Sequence, residues 1–353
     1  MASAVRPQSR GPRPSAPISD GPNSPFAPRL SAPKFAATIT TLMSRLTDIE
    51  KPCAAGAVAL SVATAKPSLL ADLLILAKFR LTAMVVITTA VGFILARPHR
   101  IAWLSLLATT FGTWGLAGAA AALNQYLEIA ADGRMFRTQN RPLPAHRMRP
   151  WTALLFAVVL TLAGLGLLCG AVNTLTALLG LANVALYALV YTPLKRLSSM
   201  NTLVGAVCGA IPPVLGFTAV ENTVTAPALA LAGVLFIWQI PHFLALAWWY
   251  RDDYARAGFR MLSVTDIRGR FTGGVIVLYS LLLIPVSLLA GLVTRASGWY
   301  DAAAVILAGA MVWAACGLAR HRSRQAARRA FLTSVIYLPL LLLMLVAAQG
   351  LKS

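Results

Sequence analysis

The run from Thr272 to Thr294 reads TGGVIVLYSLLLIPVSLLAGLVT and contains no Asp, Glu, Lys or Arg. About 20 apolar residues in a helix cross the hydrocarbon core of a bilayer, where helices and closed barrels alone satisfy the backbone. Similar runs fill the chain after about residue 66, so we predict an all-α fold, a polytopic transmembrane bundle of about nine helices. The predicted spans are 73–96, 101–123, 151–171, 174–192, 201–219, 227–250, 272–294, 300–319 and 330–349.

The composition of the whole chain points the same way. Hydrophobic residues make up 58% and charged residues 12%, and the mean hydropathy is +0.71. Soluble domains carry roughly 25% charged residues, so the soluble class is excluded. The four cysteines lie far apart and form no Cys-x-x-Cys pair, which gives no sign of a disulfide framework or a zinc site.

The net charge of +20, from 31 basic and 11 acidic residues, would indicate a nucleic-acid partner in a soluble protein. Here most basic residues lie between apolar runs, in the loops after the second, fourth, sixth and eighth spans. The positive-inside rule places those loops and the N-terminus in the cytoplasm. We therefore predict a bilayer rather than nucleic acid as the partner. The expected location is the bacterial cytoplasmic membrane, with the mitochondrial inner membrane as the alternative.

Residues 1–66 differ from the rest of the chain. They are basic, rich in Ser and Ala, and interrupted throughout by proline, which holds neither helix nor sheet. We predict a disordered tail over 1–66 and a transmembrane domain over 67–353. The prolines favour a bacterial cytosolic tail over a transit peptide. The mildly apolar stretch 53–65 is short for a span, and its insertion in the membrane stays open.

The second span ends in Asn124-Gln-Tyr-Leu-Glu128-Ile-Ala-Ala-Asp132. A spacing of four residues puts the three oxygen-bearing side chains along one helical stripe. Mg²⁺ takes oxygen ligands, commonly one or two carboxylates together with substrate phosphates. The stripe predicts a metal site, against the alternative of a solvated helix end.

Basic residues adjoin this stripe. Arg137 and Arg141 follow it directly, and an arginine fork matches phosphate geometry, whereas Arg134, Arg147 and Arg149 fit topology alone. Lys78 and Arg80 lie inside the first predicted span, where they either snorkel to the interface or face a phosphate.

The ends of the fourth and sixth spans add Tyr191-Thr-Pro-Leu-Lys195-Arg196 and Asp252-Asp253. Two acidic groups on one face, with cations between them, match metal-assisted departure of a diphosphate into a site that excludes water. Alternatively, the two aspartates pair with neighbouring arginines in a solvated loop. His242 lies in apolar sequence beside Pro241, where it either serves function or bonds a freed carbonyl.

These motifs resemble the UbiA superfamily of intramembrane prenyltransferases, and most of all its protohaem IX farnesyltransferase (haem O synthase) branch. The similarity covers residues 73–270. It rests on Asn124-x3-Glu128-x3-Asp132 with the following Arg137-Thr-x-x-Arg141-Pro-Leu-Pro, and on four further motifs. These are Tyr191-Thr-Pro-Leu-Lys-Arg, Ile211-Pro-Pro-Val-Leu-Gly, Trp238-Gln-Ile-Pro-His-Phe and Asp253-Tyr-x-x-Ala-Gly. The Trp-Gln-x-Pro-His run favours the haem branch over quinone prenylation.

The resemblance implies a UbiA-like bundle that transfers farnesyl from its diphosphate to a vinyl carbon of haem b, with Mg²⁺ required. Asn124, Glu128, Asp132 and Asp253, with neighbouring Asp252, are the expected metal ligands. Lys78, Arg137, Arg141, Lys195 and Arg196 are expected to hold diphosphate. Tyr191 would face the allylic cation and His242 would bind haem. Haem A synthase and haem-copper oxidase assembly proteins are expected partners.

The sequence also departs from the family pattern. Glu128 stands where Asp is usual, Ala130 removes an acid, and Phe79 and Ser263 replace prolines. These differences bear on the identity of the acceptor more than on the diphosphate chemistry. Three alternatives to this function stay open. They are a UbiA-type enzyme acting on a quinone precursor or another aromatic acceptor, a membrane transporter, and a non-catalytic assembly factor for a haem-copper oxidase.

Overall fold

The computed structural model describes residues 68–96 and 102–350. The predicted tail over 1–66 and the open stretch 53–65 lie outside the described residues. All regular structure within the described residues is helical. In chain order the helices are α1 (Leu69–Leu76), α2 (Phe79–Ala96), α3 (Trp103–Leu127), α4 (Ile129–Asp132), α5 (Pro150–Ala171), α6 (Thr174–Ala185), a π-helix (Leu186–Tyr191), α7 (Thr192–Leu197), α8 (Asn201–Glu221), α9 (Ala226–Trp249), α10 (Arg251–Ala257), α11 (Leu262–Thr265), α12 (Arg270–Val293), α13 (Gly298–His321) and α14 (Arg324–Gly350).

Nine segments in the described ranges are long and apolar enough to cross a membrane. They are α2, α3, α5, the continuous run Thr174–Leu197, α8, α9, α12, α13 and α14. Large apolar side chains stay exposed on their outer surfaces, as lipid contact requires; Ile306, Trp313 and Leu343 are examples. The predicted all-α bundle of about nine spans is confirmed.

The first span begins later than the sequence indicated. We predicted one helix over 73–96, but α1 ends at Leu76 and α2 begins at Phe79. Between them Lys78 takes φ of 48°, a left-handed backbone that no helix contains. The Gln125 side-chain amide donates to the carbonyls of Ile75 at 3.0 Å and Leu76 at 2.8 Å. The break therefore persists because a neighbouring helix satisfies the carbonyls that it frees.

The fourth span contains a wide turn. Pro193 has no N–H to donate to the carbonyl four residues earlier, and its ring crowds that carbonyl. The chain responds with the π-helix Leu186–Tyr191, in which the Thr192 N–H bonds to the carbonyl of Tyr187. Such single-turn insertions occur frequently at functional sites.

The helices pack against one another in a bundle, with α3 against α5, α8 against α9, and α13 against α14. The α2–α8 pair approaches most closely, because a Cβ at Gly92 would lie 2.2 Å from the Pro213 carbonyl oxygen. A Cβ at Gly216 would lie 2.1 Å from the carbonyl oxygen of Thr89. Small residues at a crossing allow such backbone contact in lipid.

The ends of the second, fourth, sixth and eighth spans meet on one face of the bundle. Lys195 contacts Glu128, the Arg260 N–H bonds to the Lys195 carbonyl, and Trp248 donates to the Arg322 carbonyl. The side of the membrane that this face occupies stays a prediction.

Candidate active site

Three buried oxygen ligands each pair with a cation at the centre of this face. The Lys78 ammonium donates to the Asn124 amide oxygen at 2.6 Å. The Lys195 ammonium spans both oxygens of Glu128, at 2.9 and 3.1 Å. The Arg141 guanidinium contacts Asp132 at 2.8 Å. We call these six residues the paired cluster; it unites three basic and three oxygen-bearing residues that the sequence spreads over more than a hundred positions.

The paired cluster is shielded from solvent. Asn124 and Asp132 are each 1% exposed, Glu128 is 4% and Lys195 is 8% exposed. A buried charge costs several kcal/mol unless it is paired, so burial of this kind requires the cations that the structure supplies. The alternative of a simply solvated helix end does not describe these three residues.

The break in the first span supplies Lys78. Because its backbone leaves the helix, the side chain reaches α3 from the loop between α1 and α2. Burial, together with the nearby charges of Arg141 and Lys195, lowers the pKa of Lys78 to about 7, against the opposing effect of Glu128 and Asp132. Near neutral pH the amine is therefore only partly protonated, and an arriving polyanion would favour its charged form.

The π-helix positions the neighbouring aromatic groups. The Thr192 hydroxyl donates to the Tyr187 carbonyl at 2.8 Å and accepts from the Asn124 amide at 3.1 Å. This links the wide turn directly to the paired cluster. The rings of Tyr187 and Tyr191 lie 5.0 Å apart, and the Lys195 ammonium lies 4.7 Å from the Tyr191 ring centre. Tyr191 is thus adjacent to the cluster, and its role toward an allylic cation stays a prediction.

One atom in the paired cluster is left without a partner. The Asp132 Oδ1 is buried and has no hydrogen bond from any described residue. Within 68–96 and 102–350, no three His, Cys, Asp or Glu side chains gather closely enough to hold a metal unaided. Two carboxylates, one of which has an oxygen without a partner, and one amide oxygen fit Mg²⁺, which commonly completes its shell with phosphates and water.

The two residues of the second acidic group, Asp252 and Asp253, differ in burial and in their partners. Asp253 is 8% exposed and pairs with Arg256, three residues along α10. Asp252 has a side chain that is 62% exposed and pairs with Arg324 at the start of α14. The structure therefore does not bring Asp252 to the paired cluster. The alternative of pairing with a neighbouring arginine describes Asp253 with Arg256, but not Asp252, whose partner lies 72 residues away. Their assignment as metal ligands stays a prediction.

The two remaining predicted diphosphate ligands, Arg137 and Arg196, also lie in different surroundings. Arg137 stacks over the Tyr250 ring at 4.6 Å, and its guanidinium donates to the Tyr254 hydroxyl at 3.4 Å. Tyr254 in turn packs on Phe259, which lies 5.7 Å from the Lys195 ammonium. Arg137 is thereby connected to the paired cluster. Arg196 is exposed and lines a cavity of about 190 Å³ together with Arg134.

His242 lies seven residues before the end of α9, inside the span. Its ring stacks on Trp238 at 4.7 Å and tilts against Phe331 at 4.8 Å. Phe331 lies 5.8 Å from Trp249, and Trp249 stacks on Tyr250 at 4.9 Å. An unbroken series of ring contacts therefore runs from Arg137 to His242. It provides an apolar wall between Arg137 and a histidine inside the span.

Sequence reasoning missed several residues that build the site. Gln125 holds the break open and Thr192 ties Asn124 to the π-helix. A signal for the second existed, because Pro193 inside an apolar run predicts a disturbed helix. Nothing in the spacing identified the partner of Gln125, which lies 49 positions away.

Comparisons with known proteins agree with this geometry. Residues 85–344 match the sequence profile of the UbiA prenyltransferase family. The chain is 40% identical over 290 residues to a protoheme IX farnesyltransferase of Solibacter usitatus, covering 79% of this chain and 99% of that protein. It is 41% identical over 275 residues to the human mitochondrial protoheme IX farnesyltransferase, covering 78% of this chain and 61% of that one.

Solved structures share the fold. A digeranylgeranylglyceryl phosphate synthase structure superposes with a TM-score of 0.66 at 16% identity, covering 80% of this chain and 98% of that one. A UbiA homologue from Archaeoglobus fulgidus, bound to GPP and Mg²⁺, gives a TM-score of 0.54 at 13% identity, covering 78% and 99%. At these identities the likeness establishes the fold alone. With its profile match and its relatives about 40% identical along most of its length, this chain belongs to the UbiA prenyltransferase family.

Proposed function

We propose that this enzyme is a protohaem IX farnesyltransferase, which moves farnesyl from farnesyl diphosphate to a vinyl group of haem b. The observation that carries the proposal is the paired cluster, in which three cations bond to three oxygen ligands beneath an aromatic surface. The acceptor and the prenyl length come from the relatives named protoheme IX farnesyltransferase.

Charge balance explains how the paired cluster accepts a metal diphosphate. Glu128 and Asp132 carry two negative charges, and Lys195, Arg141 and the partly protonated Lys78 oppose them. When a diphosphate enters, the cations can turn from the protein oxygens to the phosphate oxygens. The oxygens that they release are then available to a cation. Substrate and site exchange partners, so no charge is left buried and unpaired.

Asn124, Glu128 and Asp132 would hold Mg²⁺, with Asp253 as a further candidate. The free Asp132 Oδ1 is the observation that favours this assignment. When bound, Mg²⁺ would neutralise the charge that develops on the departing diphosphate. Lys78, Arg141, Lys195 and Arg137 would hold the diphosphate itself, the arginines by two parallel bonds.

The carbon end of the substrate would meet the aromatic residues. The Tyr191 ring packs against Gly205 and lies beside Lys195, which would contact the phosphate end of the substrate. An aromatic face attracts a cation by about 0.5–2 kcal/mol, more when water is excluded. Tyr191 and Tyr187 therefore suit stabilisation of an allylic cation, while the apolar bundle keeps water from quenching it.

The bonds balance as follows. The allylic C–O bond of farnesyl diphosphate breaks, and its electron pair leaves with the diphosphate. The vinyl π electrons of haem b form the new C–C bond, which leaves positive charge on the carbon beside the porphyrin ring. Water adds there and loses one proton, giving a hydroxyethylfarnesyl side chain. Water must therefore reach the acceptor end and be excluded from the farnesyl end.

His242 would hold the acceptor. Its position inside the span and its stacking between Trp238 and Phe331 form a flat aromatic setting that suits a porphyrin. The ring series to Arg137 supplies the surface along which the farnesyl chain could lie between the two substrates. We place this site on the cytoplasmic side of a bacterial inner membrane and expect the product to pass to haem A synthase or oxidase assembly proteins.

The direct test supplies haem b, farnesyl diphosphate and Mg²⁺ to purified protein in lipid nanodiscs and weighs the porphyrin products by mass spectrometry. We expect haem b to gain the mass of one farnesyl group and one hydroxyl group. Omission of Mg²⁺ should abolish the product. An unchanged porphyrin, with prenylation of an added aromatic acid instead, would replace haem with the alternative acceptor.

A further inference from the structure

A serine outside every motif of the sequence bonds the histidine of the proposed acceptor site. The Ser334 hydroxyl on α14 lies 2.7 Å from His242 Nδ1 and 2.6 Å from the carbonyl oxygen of Phe331. Ser334 is completely buried, and its own carbonyl accepts the indole N–H of Trp238 at 2.8 Å. Three neighbouring groups thus fix this serine.

These two distances favour one position for the proton on the histidine. A serine hydroxyl has one hydrogen, and a carbonyl oxygen only accepts. Two oxygens 2.6 Å apart need a hydrogen between them, so the hydroxyl donates to Phe331. The serine oxygen then accepts the hydrogen bond from His242, which requires an N–H at Nδ1. In a neutral imidazole the other nitrogen, Nε2, then carries the lone pair.

The surroundings leave Nε2 available. The Trp238 and Phe331 rings pack against the imidazole, and Ser334 covers its Nδ1 edge. His242 is partly exposed, and no described residue forms a hydrogen bond with its Nε2. The ring is therefore held on three sides, with its unprotonated nitrogen on the remaining edge.

We propose that Ser334 is a positioning residue that locks His242 in the Nδ1–H tautomer, so that Nε2 can ligate the iron of the haem substrate. The inference rests on the proposed function and deepens it. A hydrogen-bonded second nitrogen commonly fixes the tautomer and ring orientation of metal-ligating histidines, and its loss typically costs about 10- to 100-fold in affinity. Ser334 would thus fix the porphyrin relative to the farnesyl chain.

The tautomer can be measured without haem. In protein labelled with ¹⁵N-histidine, a His242→Asn variant identifies the resonances of this residue among the four histidines. We expect a protonated Nδ1 and an unprotonated Nε2 in the wild type, and a mixture of tautomers in Ser334→Ala. A protonated Nε2 in the wild type would overturn the proposal.

Iron ligation is tested with ferric haem b bound to purified protein. We expect Ser334→Ala to weaken haem binding at least tenfold and to lose part of the histidine-ligated absorption spectrum, and Ser334→Thr, which keeps the hydroxyl, to restore both. Thr333→Ala is the matched control, because that hydroxyl bonds only to the Arg329 carbonyl of its own helix. It should leave the spectrum unchanged.

The outcomes separate the inference from the proposed function. A wild-type spectrum in Ser334→Ala, with His242→Ala losing it, overturns the role of Ser334 alone. A wild-type spectrum in His242→Ala overturns the iron contact. Histidine-ligated haem that never becomes farnesylated would leave the contact standing and overturn the proposed function.

Discussion

The two acidic groups on this face contain similar residues but differ in burial and in how their carboxylates are paired. In the paired cluster the carboxylates are almost fully buried, and Glu128 takes its partner Lys195 from a position 67 residues away. In the second group, Asp253 pairs with an arginine three residues along the same helix, and Asp252 is largely exposed. The first group is buried and assembled by the fold, whereas the second combines one local pair with one exposed pair, that of Asp252 with Arg324.

This difference has an energetic consequence. Exposed ion pairs contribute about 0–1 kcal/mol, whereas breaking a buried pair costs about 3–5 kcal/mol. The fold therefore depends on the charges of the paired cluster and hardly on Asp252. A substrate that supplies both phosphates and a metal can replace the internal pairs at little net cost. The comparison predicts that substitutions in the first group have large effects and those in the second have small ones.

The largest effect is expected for Asp132→Asn. The amide keeps the size of the side chain but removes the charge and the free Oδ1, so farnesyl transfer should fall by at least about 100-fold, more than typical losses of a supporting ligand contact. Turnover is measured by product mass, with membrane insertion checked by yield. Glu221→Gln, at the opposite end of the bundle, serves as the control. Near-normal turnover in Asp132→Asn would remove Asp132 from the metal site.

Lys195→Met tests the buried pair itself. It strands the Glu128 carboxylate, so the free energy of unfolding in detergent should fall by about 3–5 kcal/mol. The double variant Lys195→Met/Glu128→Gln should regain much of that stability while remaining inactive, because no unpaired charge is then buried. A double-mutant cycle in denaturant separates these two effects. Additive losses of stability would show that the two residues do not depend on each other.

Much of the fold could be predicted, because a bilayer allows few solutions. Apolar runs gave all nine spans, and the bias in loop charge correctly grouped the even-numbered ends on one face. The error in the first span has a physical cause. The hydropathy of the apolar run does not mark Ala77 and Lys78 as a helix break. The break depends on Gln125, whose side-chain amide belongs to another helix.

The site was predictable where its residues lie close together along the chain, at the end of α3, at Glu128 and in α4. The spacing from Asn124 to Asp132 placed three oxygens on one stripe without any tertiary information. The partner of each oxygen was not predictable, because Lys78, Lys195 and Arg141 are selected by packing. Ser334 was missed for the same reason: one buried serine among many gives no sign of the histidine it contacts on another span.

A smaller effect is expected for Arg137→Lys, which lies between the two groups. Lysine keeps the charge but loses the planar fork that stacks over Tyr250 and reaches Tyr254. We expect farnesyl diphosphate to bind about tenfold more weakly in the presence of Mg²⁺, about 1.4 kcal/mol. Titration calorimetry measures the change. Arg196→Lys is the comparison, because Arg196 is exposed beside a cavity; a larger loss there would return Arg196 to the diphosphate site.

The smallest effect is expected for Asp252→Asn. The pair with Arg324 is exposed on both sides, so solvent and salt screen it, and stability should change by no more than about 0.5 kcal/mol. The Mg²⁺ concentration for half-maximal turnover should also be unchanged, whereas Asp253→Asn should raise it if the buried aspartate reaches the metal. A tenfold rise for Asp252→Asn would instead place an exposed carboxylate in the catalytic complex. That result would require α10 to move on substrate binding, because in this structure Asp252 is occupied by α14 rather than by the cluster.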